Sequence, residues 1–294
     1  MFYRLRRSCF ISLMFFGLLF SQLSNATPAL FQVEKNGIKS HLFGTVHVGT
    51  ADMQKLPKQV LKAIESSELI AVEVDLDSLS ASQIQQISAP FMLLPEGTAL
   101  ADVMNPTHYQ KLKHYLSTAG LSISRFHRHR PWAVMITLLQ MEYKKLGFSE
   151  QYGIDKQVLT YSKKLRKKVI GLETLQQQLA MLSALEIQNE AMFEETFEHL
   201  DDINFYFLDL VNAWKAGDMN KLSQYYARSF DDSTYGKYSE QVMLVERNKQ
   251  WLETLSALLR KQPTFIAVGA LHLPEQHGLI NLLKQAGFKV SKLN

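Results

Sequence analysis

The sequence predicts an α/β fold with a mostly parallel or mixed central sheet and a large helical insertion. Three observations carry this. An apolar, strand-like run that stops at glycine and then presents a histidine occurs twice, in "HLFGTVHVGT" (residues 41–50) and "FIAVGALHLP" (residues 265–274). Each Gly-x-x-His stretch precedes an amphipathic helix and a further strand, making two βαβ-like units with helices on the sheet faces. Between them the apolar periodicity is helical.

The elements follow in order. "ALFQVEKNGIKSHLFGTV" reads as a hairpin turning at Asn36-Gly37. "LPKQVLKAIESSE" places Val60, Leu61 and Ile64 at helical spacing, and "LIAVEVDL" is a buried strand carrying Glu73 and, two residues on, Asp75. "PWAVMITLLQMEYKKLG" is a helix started by Pro131 and stopped by Gly147. "YGIDKQVLTYSKKLRKKVIGLET" gives a helix with Asp155 as its cap, then a short strand ending near Glu173. "EIQNEAMFEETFEHLDDINFYFLDLVNAWKAGD" reads as one helix with Ile203, Phe207, Leu210, Val211 and Trp214 on one face; Asp218 then caps the next. "SEQVMLVERNKQWLETLSALLRKQ" is a long amphipathic helix, and "TFIAVGALH", "GLINLLKQAG" and "FKVSKL" close the chain as strand, helix and strand.

The first 26 residues read as a secretory signal: Arg4, Arg6 and Arg7, an apolar stretch of about a dozen residues, and small residues before Ala26. The sequence therefore predicts an exported protein, periplasmic or secreted, with no stable membrane span once the signal is cleaved. Residues 27–294 form a single domain with a helical insertion over roughly 101–260. The lone cysteine, Cys9, lies in the leader, so the mature chain has no disulfide, thiol nucleophile or cysteine metal ligand. Without the three leader arginines the formal net charge of +4 falls to +1, which gives no reason to expect a nucleic acid partner. Composition is that of a globular protein, 46% hydrophobic and 20% charged. There is no Gly-x-Ser-x-Gly elbow, P-loop, Gly-x-Gly-x-x-Gly or His-Glu-x-x-His, so serine-hydrolase, nucleotide and zincin readings have no motif.

Ligands of open parallel sheets gather beyond the carboxyl ends of the strands, where Gly44 and Gly269 end theirs. His47 and His272 follow in the adjoining loops and face one crevice if the two strands are neighbours. Imidazole serves there as metal ligand or general base, although a single histidine after a strand is more often structural. Glu73 is the most anomalous carboxylate, an acid among apolar strand residues that needs a partner, either a metal or Arg247. Arg247 and Asn248 lie in or beside the apolar stripe Val245, Leu252, Leu255, Leu259, and Arg247 is suited to hold an oxyanion or orient a carboxylate. The run "RFHRHR" (residues 125–130) reads as a solvated basic loop.

In this order, "LFGTVHVG", "LPKQVLKAIESSELIAVEVDL", "YGIDKQVL", "KVIGLET", "WKAGD", "ERNKQW" and "VGALHLPEQHGL" make the chain resemble the TraB/PrgY/GumN family, which includes the Tiki metalloproteases. The resemblance covers nearly the whole mature chain. It implies a divalent-metal site of His47, Glu73 and His272, with Arg247 and Asn248 as catalytic polar groups. Asp155 and Glu173 match further motif positions, as substrate-binding or structural polar residues. Relatives often carry Trp at Phe43, and a glycine soon after His-Leu-Pro where this chain has Glu275, Gln276 and His277 before Gly278.

The resulting expectation is an exported metal-dependent hydrolase acting on a peptide or protein substrate, with Mn²⁺, Co²⁺ or Zn²⁺ as cofactor. Glu73 is either a ligand or the base. The alternative is an envelope protein that sequesters a peptide, a pheromone or haem without turnover.

Overall fold

The computed structural model describes residues 27–293. Residues 1–26, read from the sequence as a signal, and Cys9 among them lie outside the described residues. The hairpin forms as expected: β1 (Leu30–Lys35) pairs antiparallel with β2 (Ile38–Thr45), with Lys35 opposite Ile38. Asn36 and Gly37 both adopt positive φ, 52° and 81°, as a two-residue turn of this hand requires. Next come α1 (Lys58–Ser66) and β3 (Leu69–Val72), then the helical stretch α2 (Ala81–Met92), α3 (Pro106–Thr118) and α4 (Pro131–Lys145). α5 (Ile154–Lys164) leads to β4 (Lys168–Gly171), followed by α6 (Leu175–Ala184) and α7 (Asn189–Asp201). α8 (Asp209–Ala216), α9 (Met219–Ser229), α10 (Thr234–Glu240) and α11 (Glu246–Leu259) precede β5 (Thr264–Gly269), α12 (Leu279–Gln285) and β6 (Lys289–Lys292).

The six strands form one sheet in the order β4-β3-β5-β2-β1-β6. β4, β3, β5 and β2 are mutually parallel. The final strand departs from the βαβ reading. β6 runs antiparallel beside β1 at the far edge, so α12 does not return the chain to a parallel neighbour of β5. β6, exposed at both end residues and nowhere fully buried, suits an edge and not a sheet centre.

The central strands are buried on both faces, as their unbroken apolar runs require. One face packs Phe43, Ile70, Val72 and Phe265 against Val60 and Ile64 of α1, Val158 of α5, and Val211 and Trp214 of α8. The other packs Leu42, Ala71, Ile266 and Val268 against Trp251, Leu255 and Leu259 of α11 and Leu279 and Leu283 of α12. A third cluster, with Leu112, Leu116, Trp132, Leu138, Phe193 and Phe197, is the core of the helical stretch. Among the described residues no helix is long and apolar enough to cross a membrane.

Two helices expected as continuous are interrupted. The stretch before Gly217 breaks after α7, and a π turn over Asn204–Leu208 leads into α8. The long helix before β5 contains a π turn over Gln241–Val245, immediately ahead of Arg247. Gly217 and Asp218 act as expected, the first left-handed at the end of α8 and the second accepting from the Lys221 amide.

Trp214 does more than fill the core. Its indole N–H donates to the Gly44 carbonyl at 2.7 Å, where β2 ends and the first histidine loop begins. Trp214→Phe removes that bond to a buried carbonyl. The expected cost is about 1–3 kcal/mol, read as a fall of several degrees in Tm.

Candidate functional site

The parallel pairing of β2 with β5 answers why Gly-x-x-His occurs twice. Gly44 stands opposite Val268 and Thr45 opposite Gly269, so both loops leave the same sheet edge side by side. Gly44 admits this: a Cβ there would lie 3.0 Å from the Ala270 Cα of the second loop. β3 flanks β5 on the other side, and Glu73 follows directly on its last residue. Glu73 is thus just past the strand, not inside it. Asp75, expected on the same strand face, instead precedes a short 3₁₀ turn.

The first loop is held by backbone. Gly49 and Ser149 exchange N–H···O bonds of 3.1 and 2.8 Å, and the Ile154 amide donates to the Val46 carbonyl at 2.9 Å. The segments lie close because they are glycine against backbone: a Cβ on Gly153 would be 2.4 Å from the His47 carbonyl oxygen, and one on Gly49 2.4 Å from that of Tyr152. This clamp brings the first turn of α5 to the histidine. Asp155 is not the helix cap the sequence suggested; Gly153 occupies that position. One oxygen of Asp155 accepts from the Thr45 hydroxyl at 2.5 Å and the other lies 3.0 Å from His47 Nδ1. Asp155 pushes the His47 pKa up to about 9, against the opposing effect of desolvation.

The second loop is buried. His272 Nδ1 lies 2.7 Å from Asn248 Oδ1, while Asn248 Nδ2 donates to the carbonyls of His272 and His277 at 3.3 and 2.9 Å. With both amide hydrogens spent on carbonyls, Oδ1 is the acceptor and His272 Nδ1 carries the hydrogen. The bare Nε2 accepts from Arg247 Nη1 at 3.0 Å. Burial pushes the His272 pKa down to about 3, so the ring is neutral.

Arg247 ties the site together. Nε and Nη2 donate to the two oxygens of Glu173 at 3.1 and 2.7 Å, and Nη2 also donates to Glu73 Oε2 at 2.6 Å. Nη1 also donates to the Met243 carbonyl at 2.8 Å, within the π turn. All five N–H groups of the guanidinium are engaged, and it stacks 4.6 Å from the Trp251 ring. The two glutamates need this cation because they are neighbours: the Glu173 amide donates to the Glu73 carbonyl at 3.0 Å, continuing the β3–β4 pairing. Burial alone would raise Glu73, but with His272 neutral the Arg247 guanidinium, the His47 ring and the Gly269 amide, 2.6 Å from Oε1, hold it below the usual carboxylate range.

The structure therefore brings His47, Glu73, Asp155, Glu173, Arg247, Asn248 and His272 to one place, and the two histidines differ. The His47 side chain is 69% exposed, with no partner on Nε2 among the described residues; that of His272 is 4% exposed, with both nitrogens engaged. Sequence reasoning missed Thr45, Trp251 and Gln178. Gln178 donates to Glu73 Oε2 at 3.3 Å and Glu173 Oε1 at 3.1 Å from the first turns of α6, directly after "GLET". The "RFHRHR" run lies apart in the helical stretch, where Arg128 donates to the Leu94 carbonyl and Arg130 pairs with Glu186. The loop after His272 carries strain where a glycine is comfortable: Glu275 has φ of +68°. That loop contributes Glu275, Gln276 and His277 to a cavity of about 410 Å³ shared with Tyr226, Phe230 and Glu240.

Whether a divalent ion fits can be asked of Gly269. A Cβ there would be 3.1 Å from Glu73 Oε1, 3.6 Å from His272 Cδ2 and 3.9 Å from His47 Nε2, so the absent side chain leaves a space that all three residues border. Two imidazoles with Nδ1 committed to a fixed acceptor, beside a carboxylate, are a suitable donor set. Among the described residues no three such side chains are already disposed around a common metal position. Arg247 occupies two of the three groups, its Nη1 taking the His272 lone pair and its Nη2 donating to Glu73.

Two expectations follow. Arg247→Leu leaves Glu73 and Glu173 buried without a counter-charge and should cost about 3–5 kcal/mol in denaturant unfolding, far more than an exposed arginine. The His47–Asp155 pair should show in the pH dependence of the chelator-treated protein. A pKa raised from 6.5 to about 9 contributes stability that is full below 6.5 and lost as pH rises through 9. The stability difference between wild type and His47→Gln should therefore shrink across that window. With the ring mostly exposed, the change should be about 1 kcal/mol or less.

The sequence model of the TraB/PrgY/gumN family matches residues 29–292. The uncharacterized protein YbaP of Shigella flexneri is 29% identical over 245 residues, covering 83% of this chain and 88% of that protein. YbaP of Escherichia coli is also 29% identical, over 83% and 87%. Metalloprotease TIKI2 of Danio rerio is 24% identical over 85% of this chain and 58% of its own length. No solved structure matches. With the parallel strands β2 and β5 side by side and the Gly-x-x-His loops that follow them both beside Glu73, the chain belongs to the TraB/PrgY/gumN family.

Proposed function

We propose that the protein is an exported, metal-dependent hydrolase of peptide bonds. The observation that carries this reading is the space over Gly269, bordered by His47, Glu73 and His272 with each imidazole oriented by a fixed acceptor. The relatives named metalloproteases supply the reaction class. The leader of residues 1–26 supplies the export route.

His47 Nε2 and Glu73 Oε1 would hold the ion, and His272 Nε2 would join once Arg247 Nη1 gives up its bond. Bound there, a divalent ion supplies Lewis acidity, polarising a scissile carbonyl and bringing water toward neutral ionisation. Mn²⁺, Co²⁺ and Zn²⁺ all suit a nitrogen and oxygen donor set. Glu73 acts as ligand and not as base, because Arg247, Gln178 and the Gly269 amide already hold its carboxylate in the charged form and occupy its oxygens. Arg247 and Asn248, expected as catalytic groups, act on the site's own residues. Arg247 donates to Glu73, Glu173, His272 and Met243 and so holds Glu73 in its charged form; the Nη1 donor released from His272 would be the one left to face an oxyanion. Asn248 fixes the His272 ring and ties down the loop to His277.

A second reading rests on the same His47–Asp155 pair. A carboxylate on Nδ1 also equips an imidazole for proton transfer without a metal, as in hydrolase triads. With a pKa of about 9, His47 would then be an acid at neutral pH and a base only at higher pH.

The deciding experiment is elemental mass spectrometry of the chain from residue 27 after exposure to Mn²⁺, Co²⁺ or Zn²⁺. It is paired with a peptide-cleavage screen of wild type, His47→Ala and His272→Ala. Stoichiometric metal in wild type, lost in both variants while circular dichroism stays native, together with cleavage abolished by chelation, is the expected result. Cleavage that survives chelation and rises with pH toward 9 would replace the metal reading by the acid–base one. No metal and no cleavage, with a peptide or haem retained on purification, would make the protein a sequestering one.

A further inference from the structure

We infer that Asp155 is a positioning residue for His47: it holds the neutral imidazole in the Nδ1–H tautomer, so that Nε2 of that form faces the space over Gly269 as a bare lone pair. This rests on the reading of His47 as the working imidazole of the site. It gives Asp155 a role distinct from capping a helix or touching substrate.

Geometry carries the inference. An ionised carboxylate can only accept, so the 3.0 Å contact with His47 Nδ1 requires the hydrogen to be on that nitrogen. Free imidazole side chains favour the opposite tautomer, with the hydrogen on Nε2. The protein therefore works against the intrinsic preference of the ring. The Thr45 hydroxyl donates to the other oxygen of Asp155, which fixes the plane of the carboxylate and leaves Oδ2 for the histidine. Thr45 is the last residue of β2, so histidine and carboxylate are both referred to the same strand end.

The backbone around the pair serves the same arrangement. Gly153 lies against the His47 carbonyl and Gly49 against that of Tyr152, both too close for a side chain. With the Ile154 amide on Val46 and the paired Gly49–Ser149 bonds, they register "YGID" against "VHVG". Asp155 makes no capping bond within α5; its oxygens go to Thr45 and His47. The buried second histidine shows the same device in a neutral form, with Asn248 Oδ1 on His272 Nδ1. Two unlike acceptors on different helices, α5 and α11, thus turn the two imidazoles in the same sense. Outer acceptors of this kind orient histidines at metal sites and in catalytic triads alike.

The test is long-range ¹H–¹⁵N correlation spectroscopy of the whole chain in chelator, with the His47 ring assigned by its absence in His47→Gln. Spectra are recorded above the titration that Asp155 places at about 9, and also in Asp155→Ala and Asp155→Glu. The expected result is the Nδ1–H tautomer in wild type, a shift to Nε2–H in Asp155→Ala, and recovery of Nδ1–H in Asp155→Glu. In parallel, Co²⁺ affinity should fall roughly 10- to 100-fold in Asp155→Ala. An Nε2–H tautomer in wild type, or Nδ1–H kept in Asp155→Ala, would overturn the inference; the wild-type spectrum decides even if the alanine variant does not fold. A purely structural aspartate would lower Tm without moving the tautomer, and that outcome also counts against it. Absence of metal uptake and cleavage in wild type would instead sink the proposed function, and leaves the ring spectra to be read separately.

Discussion

The guanidinium of Arg247 is the interaction on which the site depends. Parallel pairing of β3 with β4 puts Glu73 and Glu173 next to one another at the sheet edge, both buried. Two adjacent carboxylates in an apolar setting are tolerable only with a cation between them. Arg247 supplies it, and its rigid fork also reaches His272 and the Met243 carbonyl. A lysine, with three donors on a point charge, could not satisfy five acceptors at these angles. The π turn before Arg247 is part of the same device, since it carries the Met243 carbonyl that takes one N–H.

The constraint makes the two Gly-x-x-His motifs unequal. Their strands are neighbours and their glycines equivalent, yet one imidazole is exposed and tied to a carboxylate while the other is buried and tied to an amide. Asp155 favours charge on His47; burial beside Arg247 forbids it on His272. The pair is thus set up with opposite protonation habits around a common space, an arrangement typical of functional sites and costly for a merely structural one. Under the proposed metal reading, Arg247 and a divalent ion would compete for the same groups, so the charge balance around Glu73 is the balance that a bound ion would alter.

The helices are placed in service of this edge. α11 carries Arg247, Asn248 and Trp251 on the face it buries against the sheet, so its packing residues and its polar residues share one stripe. α5 buries Val158 beneath the opposite face and thereby fixes Asp155 over the first loop. Trp214 of α8 anchors Gly44 from below. The helical stretch with its own core contributes Gln178 of α6, which bridges both glutamates.

What the sequence determined by itself is whatever local chemistry imposes. Asn36-Gly37 can hardly be anything but a tight turn; two apolar runs ending at glycine are buried parallel strands; Glu73, Arg247 and Asn248 are polar where their neighbours are apolar, and so need partners. The ordered motifs added Asp155 and Glu173. Tertiary structure decided the rest, because it depends on contacts between residues far apart in the chain. Only pairing showed β6 to be an antiparallel edge strand, since a short amphipathic strand reads alike in either direction. Only packing showed Asp155 serving His47 across 108 positions, Gln178 bridging the glutamates across 105, and Arg247 holding the lone pair of His272. A histidine's chemistry is set by the acceptor that reaches its Nδ1, and that acceptor has no signature in the residues beside it.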